Sequence, residues 1–594
     1  MDSLILAPAL LPPESPLKMP VRPLLAAPED RVAAHGGKGI ALRRWLVLGG
    51  ALLLTIGAAV EMSIVVGLAR WTVVGLLLTL LFAGLFFFIA LAFTSGLAGF
   101  VAMLRPEARP EHPGPPRTRT ALIMPVYHES VAGFSGRLSV MRAALGDATA
   151  HFDIFVLSDS RDPALVAEER AAVLRLRALP GPALYYRHRE GNEGRKAGNV
   201  AEWVRRFGGA YEHLLILDAD SLMEAGTLLA LVAEMERNPR LGLVQTLPCL
   251  IEGATLFARL QQFASHVYGP MIAHGLAWWH GAQGNYWGHN AMIRSRAFAG
   301  ACGLPELPGR KPFGGEIMSH DFVEAALLIR AGWEVRMRPG LSGSYEQGPP
   351  NLEEMAKRDR RWCQGNLQHA AILAAPGLHP LSRVHMLTGI AAYASAPLWL
   401  GFLLLGIAVS VQARFLRPEY FPTTHALFPQ WPVVEFERAL WLFTFTLGLL
   451  LAPKLLSVFS FAISSGASRS AGSMLRLIAS AVFEILVSAL LSPVTMLTQS
   501  GQVMTVLMGC DAGWAAQRRE GGRLDHAAGL ALAWPHVLVG LVLAGLALAV
   551  APLLAAWMAP VLIGLVCAPL LVSWTASARA GEWITARGLL TLPG

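Results

Sequence analysis

The sequence predicts a polytopic α-helical membrane protein with an α/β domain inserted between its membrane spans. Hydrophobic residues make up 54% of the 594 residues and charged residues only 15%, against roughly 25% in ordinary soluble domains. Apolar stretches long enough for spans of about 20 residues lie on both sides of residues 120–383. That middle region instead alternates short apolar runs with helical patterns, as α/β domains do.

The composition also excludes several classes of protein. Intrinsic disorder, a collagen-like chain and a small disulfide scaffold do not fit a mean hydropathy of +0.46. The net charge of +8 needs no nucleic-acid partner, and we expect none, because basic residues beside the cytoplasmic ends of spans give the same excess. The five cysteines show no CxxC or Cys/His spacing, which argues against a zinc site and a disulfide framework.

Composition shifts along the chain predict six regions. Residues 1–44 look like a partly disordered cytoplasmic tail and not a secretory signal, because Asp2 replaces the basic start and prolines interrupt the apolar stretch. In chain order the regions are the N-terminal tail (1–44), two transmembrane helices (45–104), a Pro-rich linker (105–119), the cytoplasmic α/β domain (120–383), a C-terminal transmembrane region with about four to six crossings and interfacial helices (384–578), and a cytoplasmic tail (579–594).

Basic residues set the predicted orientation. The tail before the first span and the linker after the second are both rich in Lys and Arg, which places both, and the domain, in the cytoplasm. The stretch 527–578 is long enough for two spans with a break near Pro552. The segment 477–510 leaves the number of membrane crossings open. Pro493 could split it into a hairpin or two interfacial helices, and the orientation is consistent if it crosses an even number of times or not at all.

Strands alternating with helices in the inserted domain predict a largely parallel sheet. In such sheets ligands bind beyond the carboxyl ends of the strands, and Asp159, Asp218 and Asp220 follow two of the predicted strands there. The predicted strands are 121–127, 153–160, 214–220 and 241–247, and the predicted helices are 161–178, 197–207 and 224–236.

The Asp218–Ala219–Asp220 triplet is the strongest chemical signal. Two carboxylates one residue apart at the end of a buried strand are costly unless a cation is present. Mg²⁺ or Mn²⁺ binds through one or two carboxylates plus substrate phosphates. The alternative is a solvated turn.

Three further motifs carry candidate residues. Asp321, in Ser-His-Asp at 319–321, is either a first-turn helix acid or a general base that accepts a proton from an attacking hydroxyl. Arg358 and Arg361 could bind a pyrophosphate, and Trp362 could stack on a sugar; the alternative is a juxtamembrane basic patch against lipid. Lys196 opens a predicted helix in GRKAGN (194–199), where an anion could bind, although the P-loop spacing is missing.

Together and in this order, these elements resemble the membrane-embedded processive glycosyltransferases of family 2, which include bacterial cellulose synthase and hyaluronan synthase. The resemblance covers nearly the whole chain and implies a GT-A fold for the inserted domain. Its motifs fall on a first Asp at Asp159, a DxD at Asp218 and Asp220, a catalytic Asp at Asp321, and R-x-x-R-W at Arg358, Arg361 and Trp362.

The departures from that pattern narrow the resemblance. The usual Gln of the last motif is Arg358, and the acid before the catalytic Asp is His320. The runs at 194–199, 287–294, 319–333, 358–366 and 511–514 look like the glucans biosynthesis glucosyltransferase H group. That resemblance implies synthesis of the β-1,2-linked backbone of osmoregulated periplasmic glucans from UDP-glucose at the bacterial inner membrane.

The same resemblance implies roles and partners. Asp321 would be the base of an inverting displacement, Asp220 with Asp218 would hold Mg²⁺ or Mn²⁺, and Trp362 would bind the acceptor. Asp159, Asp218, Lys196, Arg358 and Arg361 would bind the nucleotide sugar. The partners would be the growing glucan, the lipid bilayer, acyl carrier protein and a periplasmic glucan-processing protein. The segment 500–514 would act as a mobile loop over the donor.

Other functions remain open at this point. The nearest rival is another membrane β-glucan synthase, with a cellulose-like or β-1,3 product. A lipid glucosyltransferase would need fewer spans. A non-catalytic transporter with a nucleotide-sensing domain would be expected to show repeats and broken helices in matching halves, and we see no repeat.

Overall fold

The first membrane helices form a hairpin that precedes the α/β domain. The computed structural model describes residues 10–24, 26, 37, 39–67, 72–105, 114–415, 435–464, 470–511, 513 and 526–592. Helix α1 (Ile40–Val65) and helix α2 (Val73–Met103) pack against each other. Most of the Pro-rich linker, residues 106–113, lies outside the described residues.

A seven-stranded sheet forms the centre of the inserted domain, in the order β3-β2-β1-β4-β8-β6-β9. The strands are β1 (Thr120–Val126), β2 (Phe152–Ser158), β3 (Ala183–His188), β4 (His213–Ile216), β5 (Leu222–Met223), β6 (Leu241–Thr246), β7 (Cys249–Ile251), β8 (Ala291–Arg294), β9 (Glu334–Arg338) and β10 (Ser344–Gln347). Only β8 runs antiparallel to its neighbours in this sheet. The predicted, largely parallel sheet and its four predicted strands are therefore confirmed.

Both faces of this sheet are buried, as continuous apolar strands require. In β1, Leu122 and Met124 belong to the core on one face, whereas Ala121 and Ile123 belong to the core on the other. A second, small sheet of β5, β10 and β7 lies beside the Asp-Ala-Asp triplet. It brings the distant residues 344–347 to the end of β4.

Nine helices of the described chain flank these sheets. They are α3 (Val131–Ala144), α4 (Pro163–Arg177), α5 (Arg195–Phe207), α6 (Ala225–Arg237), α7 (Leu256–Val267), α8 (Gly269–His280), α9 (Ser295–Ala301), α10 (His320–Arg330) and α11 (Leu352–Gln368). Local signals explain their starts: Asp162 accepts a hydrogen bond from Ala164 N and is followed by Pro163. The three predicted helices are confirmed as α4, α5 and α6.

Small residues join the domain to the membrane helices. A Cβ added at Gly99 of α2 would lie 2.0 Å from Met271 O, and one added at Gly275 of α8 would lie 2.2 Å from Ser95 O. Helices α2 and α8 can approach this closely only because both positions are glycine.

Seven helices of the described chain follow the domain. Six described segments are long and apolar enough to cross a membrane: Ile40–Val65, Val73–Met103, Pro380–Arg414, Phe436–Ser464, Gly472–Leu507 and Ala533–Val550. The later helices are α12 (Pro380–Phe415), α13 (Phe436–Ser464), α14 (Ala471–Leu507), α15 (His526–Val550), α16 (Pro552–Val566), α17 (Ala568–Thr575) and α18 (Ala578–Ala586). The predicted break near Pro552 is confirmed between α15 and α16. Helices α16 and α17 meet at a bend of 57°.

Helix α14 resolves what the sequence left open at Pro493, because it is one helix of 37 residues with that proline inside. Both of its ends reach the domain side of the bundle. Near its start, Ser480 Oγ accepts a hydrogen bond from Leu590 N, just beyond α18, which packs on α7. Near its end, Gln502 Nε2 donates to Ala356 O in α11 at 2.9 Å. Helix α14 therefore runs along one end of the bundle and does not connect its two ends.

The described part of the N-terminal tail packs on the domain. Leu10 O accepts a hydrogen bond from Tyr186 N, and Arg22 N donates to Gly303 O at 2.7 Å. Met19 and Leu24 are buried in the domain cores. The sequence patterns did not indicate this packing, because its contacts join residues that are as far apart as 176 positions (Leu10 and Tyr186) and 306 positions (Leu24 and Arg330).

Candidate active site

One cavity of about 1070 Å³ is lined by every site residue that the sequence predicted. It lies beyond the carboxyl ends of the parallel strands and extends to the membrane helices. The proposed residues that line it are Asp159, Lys196, Asp218, Asp220, Asp321, Arg358, Arg361 and Trp362. Motifs that are 203 positions apart at their extremes (Asp159 and Trp362) therefore form one site.

Asp159 is fixed directly after β2. Its backbone N–H donates to Val126 O at 3.0 Å. Its carboxylate accepts two hydrogen bonds from Arg189, at 2.5 Å to Nε and 2.8 Å to Nη2. This paired geometry fixes the orientation of the carboxylate at the edge of the cavity.

Asp218 and Lys196 form an ion pair across the cavity wall. Lys196 Nζ lies 2.5 Å from Asp218 Oδ1 and also donates to Gly288 O at 2.8 Å. Lys196 reaches this position from the first turn of α5, which follows Gly194 in the left-handed region at φ +63°. The predicted anion-binding lysine is thus held next to the Asp-Ala-Asp triplet.

Asp220 is surrounded by the small sheet. Gln347 N donates to Asp220 Oδ2 at 3.3 Å. Glu346, the residue before Gln347, lines the same cavity. Its Oε2 lies 3.1 Å from His289 Nε2. Burial raises the pKa of the Glu346 carboxyl, and Asp220 and Asp218 raise it further, while His289 and Arg358 oppose the shift.

These groups fit a divalent cation that binds together with a substrate diphosphate. Among the described residues no three His, Cys, Asp or Glu side chains are placed to hold an ion on their own. Mg²⁺ and Mn²⁺ are commonly held by one or two carboxylates plus substrate phosphates. Asp220 supplies such a carboxylate, and Glu346 adds a second negative charge on the neighbouring strand.

Asp321 is the second residue of α10 and points toward the cavity. Ser319 Oγ donates to Asp321 Oδ1 at 3.0 Å. Gly288 lies against it at φ +94°, where an added Cβ would be 3.2 Å from Asp321 Oδ2. His320 also lines the cavity and pairs with Glu324 at 3.1 Å. Burial opposes its charged form, but Glu324 outweighs that effect and raises the pKa of His320.

Helix α11 presents the arginine and tryptophan motif. Asn351 caps the helix by accepting from Glu354 N at 2.9 Å. The Arg358 guanidinium lies over the Trp362 ring, 4.4 Å from its centroid, as residues four apart on a helix can. About half of the Trp362 side chain is exposed. Arg358 and Arg361 line the cavity with the carboxylates, which favours an anion site over a lipid-facing basic patch.

The opposite face of α11 carries the end of α14. Gln499 Nε2 donates to Asp359 Oδ2 at 3.1 Å, and Arg360 Nη2 donates to Asp511 O at 3.4 Å. Asp511 also pairs with Lys311. The prediction of a loop over 500–514 is wrong for its first part, because residues up to Leu507 belong to α14. Gln502 and Asp511 contact the motif helix α11, and Ala512 and Trp514 lie outside the described residues.

The cavity continues between the membrane helices. Its lining passes from Trp362 to Ser95 of α2, Thr388 and Tyr393 of α12, and Pro453 of α13. The cavity therefore leads from the carboxylates into the bundle between polar side chains and apolar ones such as Phe88, Leu91 and Leu276.

The sequence analysis missed Arg189, Glu346, His289 and Ser319. Ser319 was part of a motif that it quoted, but the hydrogen bond to Asp321 needs the helix start to be known. Arg189 follows β3 and Glu346 lies in β10, and neither strand was predicted. A prediction of β3 and β10 would have placed Arg189 and Glu346 at the same edge of the sheets as Asp159 and Asp220.

Comparisons with known proteins identify the relatives of this chain. The family model for glycosyl transferase family group 2 matches residues 213–574, and that for glycosyl transferase family 2 matches residues 122–300. A protein of Shewanella baltica named "Glucans biosynthesis glucosyltransferase H" is 47% identical over 99% of this chain and 81% of its own length. A protein of the same name from Shewanella oneidensis is 46% identical over 98% of this chain and 81% of its own length.

Among solved structures, this chain is similar to a mannosyltransferase from Pyrobaculum calidifontis determined with GDP-mannose and Mn²⁺. The identity is 18% and the TM-score 0.36, over 62% of this chain and 97% of that one.

Proposed function

This chain belongs to the glucans biosynthesis glucosyltransferase H family, and from that premise we propose that it is an inverting, processive glucosyltransferase. It transfers glucose from UDP-glucose to a growing glucan and builds the β-1,2-linked backbone of osmoregulated periplasmic glucans. The observation that carries the proposal is the single cavity in which the DxD carboxylates, Asp321 and the R-x-x-R-W residues meet.

The chemical step is a single displacement at the anomeric carbon. The acceptor hydroxyl oxygen forms a bond to that carbon while the bond from the carbon to the UDP oxygen breaks. The hydroxyl proton passes to Asp321, which acts as the general base. Ser319 donates to one oxygen of this carboxylate, which leaves the other oxygen, beside Gly288, to accept the proton. Inversion converts an α-linked donor into a β-linked product.

The departing diphosphate is held by positive charge. Arg358, Arg361 and Lys196 line the cavity and would supply fixed cationic groups on the donor side, which stabilise developing negative charge. Asp159, oriented by Arg189, binds the uridine. When bound at Asp220, Mg²⁺ or Mn²⁺ neutralises charge on the leaving phosphate.

The acceptor enters from the membrane side of the site. The exposed half of Trp362 offers an apolar face for the terminal glucose. The cavity then continues past α2, α12 and α13, so the product chain has a path into the bundle. We propose that the glucan crosses the bacterial inner membrane along this path, with the α/β domain in the cytoplasm.

Two further partners rest on the family resemblance alone. Acyl carrier protein and a periplasmic glucan-processing protein are proposed on that basis. The net charge gives no reason to propose nucleic acid.

Linkage analysis of the product tests the proposal. The purified protein in lipid nanodiscs, given labelled UDP-glucose and Mg²⁺, should make a β-1,2-glucan. A β-1,4 or β-1,3 product would assign it to another β-glucan synthase, and an α-linked product would contradict the single displacement. No transfer from UDP-glucose, with binding of the nucleotide retained, would favour a sensing domain without catalysis.

A further inference from the structure

Three arginines and two tryptophans form a cluster beside the last helices, outside the catalytic cavity. We call this set the arginine cluster. It consists of Arg476, Arg579, Trp583 and Arg587, together with Trp574, whose ring centroid lies 6.1 Å from that of Phe483 on α14. None of the five lines the catalytic cavity, and the proposed reaction gives none of them a role.

Helical spacing aligns three members of the cluster. Arg579, Trp583 and Arg587 follow one another at intervals of four along α18 and its end, so they lie on one face. The Arg587 guanidinium carbon is 3.5 Å from the centroid of the Trp583 ring, and Arg587 Nη1 donates to Trp583 O at 3.0 Å. Trp583 is 54% exposed.

Arg476 joins them from the start of α14. A Cβ added at Gly588 would lie 2.9 Å from Arg476 Cδ, so Arg476 lies directly against the residue that follows Arg587. Within the described ranges, no carboxylate pairs with Arg476, Arg579 or Arg587. The cluster therefore carries three positive charges that form no ion pair in the described chain, and Glu582, the acidic residue of α18, reduces their net charge.

An apolar stripe borders this charge. Leu475, Ile478, Val482 and Leu486 lie on one face of α14, and each is at least 45% exposed. Exposed apolar side chains beside arginine and tryptophan are the composition of an element at the surface of a bilayer. Exposure of these apolar side chains to water would cost free energy, whereas lipid chains would cover them.

We propose that the arginine cluster binds the phosphate of an anionic phospholipid, with Trp574 and Trp583 at the level of the headgroups and the apolar stripe against the acyl chains. Basic side chains near an anionic leaflet attract it strongly, and an acidic soluble protein would not account for the adjoining stripe. This inference concerns lipid binding and does not depend on which glucan is made.

The bound lipid would position the α/β domain. Helix α18 packs on α7 of that domain, where Leu256 N donates to Ser577 O at 3.2 Å. A Cβ at Gly581 would lie 2.7 Å from Ala254 O, so the two segments are in close contact. Lipid held at one face of α18 therefore fixes the domain relative to the membrane.

Native mass spectrometry of the detergent-purified protein tests the site, with phosphatidylglycerol and phosphatidylcholine as probes. The parent should retain phosphatidylglycerol in preference to phosphatidylcholine, and salt should weaken this binding. The triple variant Arg476→Gln/Arg579→Gln/Arg587→Gln should bind phosphatidylglycerol about a hundredfold more weakly. The matched control Arg170→Gln/Arg175→Gln/Arg237→Gln removes the same charge from exposed positions of α4 and α6 and should bind as the parent does.

A second variant separates loss of charge from loss of fold. Arg476→Lys/Arg579→Lys/Arg587→Lys keeps the charge and should retain most of the binding. Equal binding of both lipids by the parent would overturn the proposal. So would a triple Gln variant that binds phosphatidylglycerol as tightly as the control does.

Discussion

At the scale of single residues, the proposed chemistry depends on the placement of Asp321. Its carboxylate is held on one side by Ser319 Oγ and on the other by the close approach of Gly288. A base held in this way spends little free energy on reorientation when the acceptor arrives. The arrangement also explains why position 288 is glycine, since φ is +94° there and a side chain would meet the carboxylate.

Asp321→Asn should abolish most turnover while leaving the donor site intact. The amide keeps the shape but cannot accept the proton, and general-base catalysis is worth about 10²–10⁴-fold. We expect kcat to fall on that scale, and the Kd for UDP-glucose from calorimetry to stay close to that of the parent. Ser319→Ala should cost less, because it removes only the orienting hydrogen bond. An Asp321→Asn enzyme with more than about a tenth of the parent rate would leave the base unidentified.

Asp220→Asn and Glu346→Gln should both weaken the divalent metal in the presence of UDP. Asp220 loses a direct carboxylate, and Glu346 loses a negative charge on the adjoining strand, so we expect affinities about 10- to 100-fold lower. Electron paramagnetic resonance of Mn²⁺ measures this without turnover. Glu168→Gln, on the exposed face of α4, is the matched control. An unchanged Mn²⁺ affinity in Asp220→Asn would show that the DxD carboxylates do not bind the metal. In a separate test, chelation of the metal should stop glucosyl transfer by the parent enzyme.

At the scale of elements, α14 links the membrane helices to the motif helix. Glu484 on α14 is buried and accepts hydrogen bonds from Lys454 of α13, at 2.9 and 2.8 Å, and from Tyr268 OH at 2.8 Å. Further along, Gln499 and Gln502 contact α11. A shift of α14 would therefore move the helix that carries Arg358 and Trp362.

Removing one partner of the Lys454–Glu484 pair should destabilise the protein strongly. A buried charge left without its partner costs about 3–5 kcal/mol. We expect Lys454→Met to lower the midpoint of thermal unfolding in detergent more than Lys454→Met/Glu484→Gln does, because the double variant leaves no charge behind. Additive losses in the two single variants and the double variant would show that the pair is not coupled.

Sequence patterns predicted the strands and the motifs, but they did not predict whether α14 crosses the membrane. Continuous apolar runs identified β1, β2, β4 and β6, and contiguous motifs named the residues that line the cavity. Hydropathy cannot distinguish a helix that crosses a membrane from one that lies along its surface. Glu346 was beyond reach for a related reason, because its place beside Asp220 depends on the pairing of β10 with β5, two short strands that are distant in sequence.

At the scale of the whole molecule, the contacts of α14 lead us to expect six crossings, formed by α1, α2, α12, α13, α15 and the bent pair of α16 and α17. Helix α14 is left out of this count although it is long and apolar enough to cross. Helix α14 would then lie on the same side as the α/β domain, together with both chain ends. This count agrees with the basic residues at 1–44 and 105–119, and it removes the ambiguity that 477–510 left in the orientation.

Cysteine labelling of intact cells tests this topology in a variant without the native cysteines. Single cysteines at positions 150–350, at 473 and at 508 should all resist a membrane-impermeant reagent added outside, whereas a cysteine at 551 should react. Labelling at 508 but not at 473 would show that α14 crosses the membrane. Labelling within 150–350 would contradict the cytoplasmic site, because the nucleotide sugar is on that side.

The N-terminal segment 10–24 imposes an order on biosynthesis. It leaves the ribosome before α1 and α2, yet its hydrogen bonds at Gly303 and Arg330 require partners that are translated about 300 residues later. The segment therefore cannot make these contacts until the first hairpin has entered the bilayer and the domain has been translated. A segment that is translocated during this interval could never reach its partners, so the finished fold is attainable only for chains whose first hairpin was inserted in the correct direction.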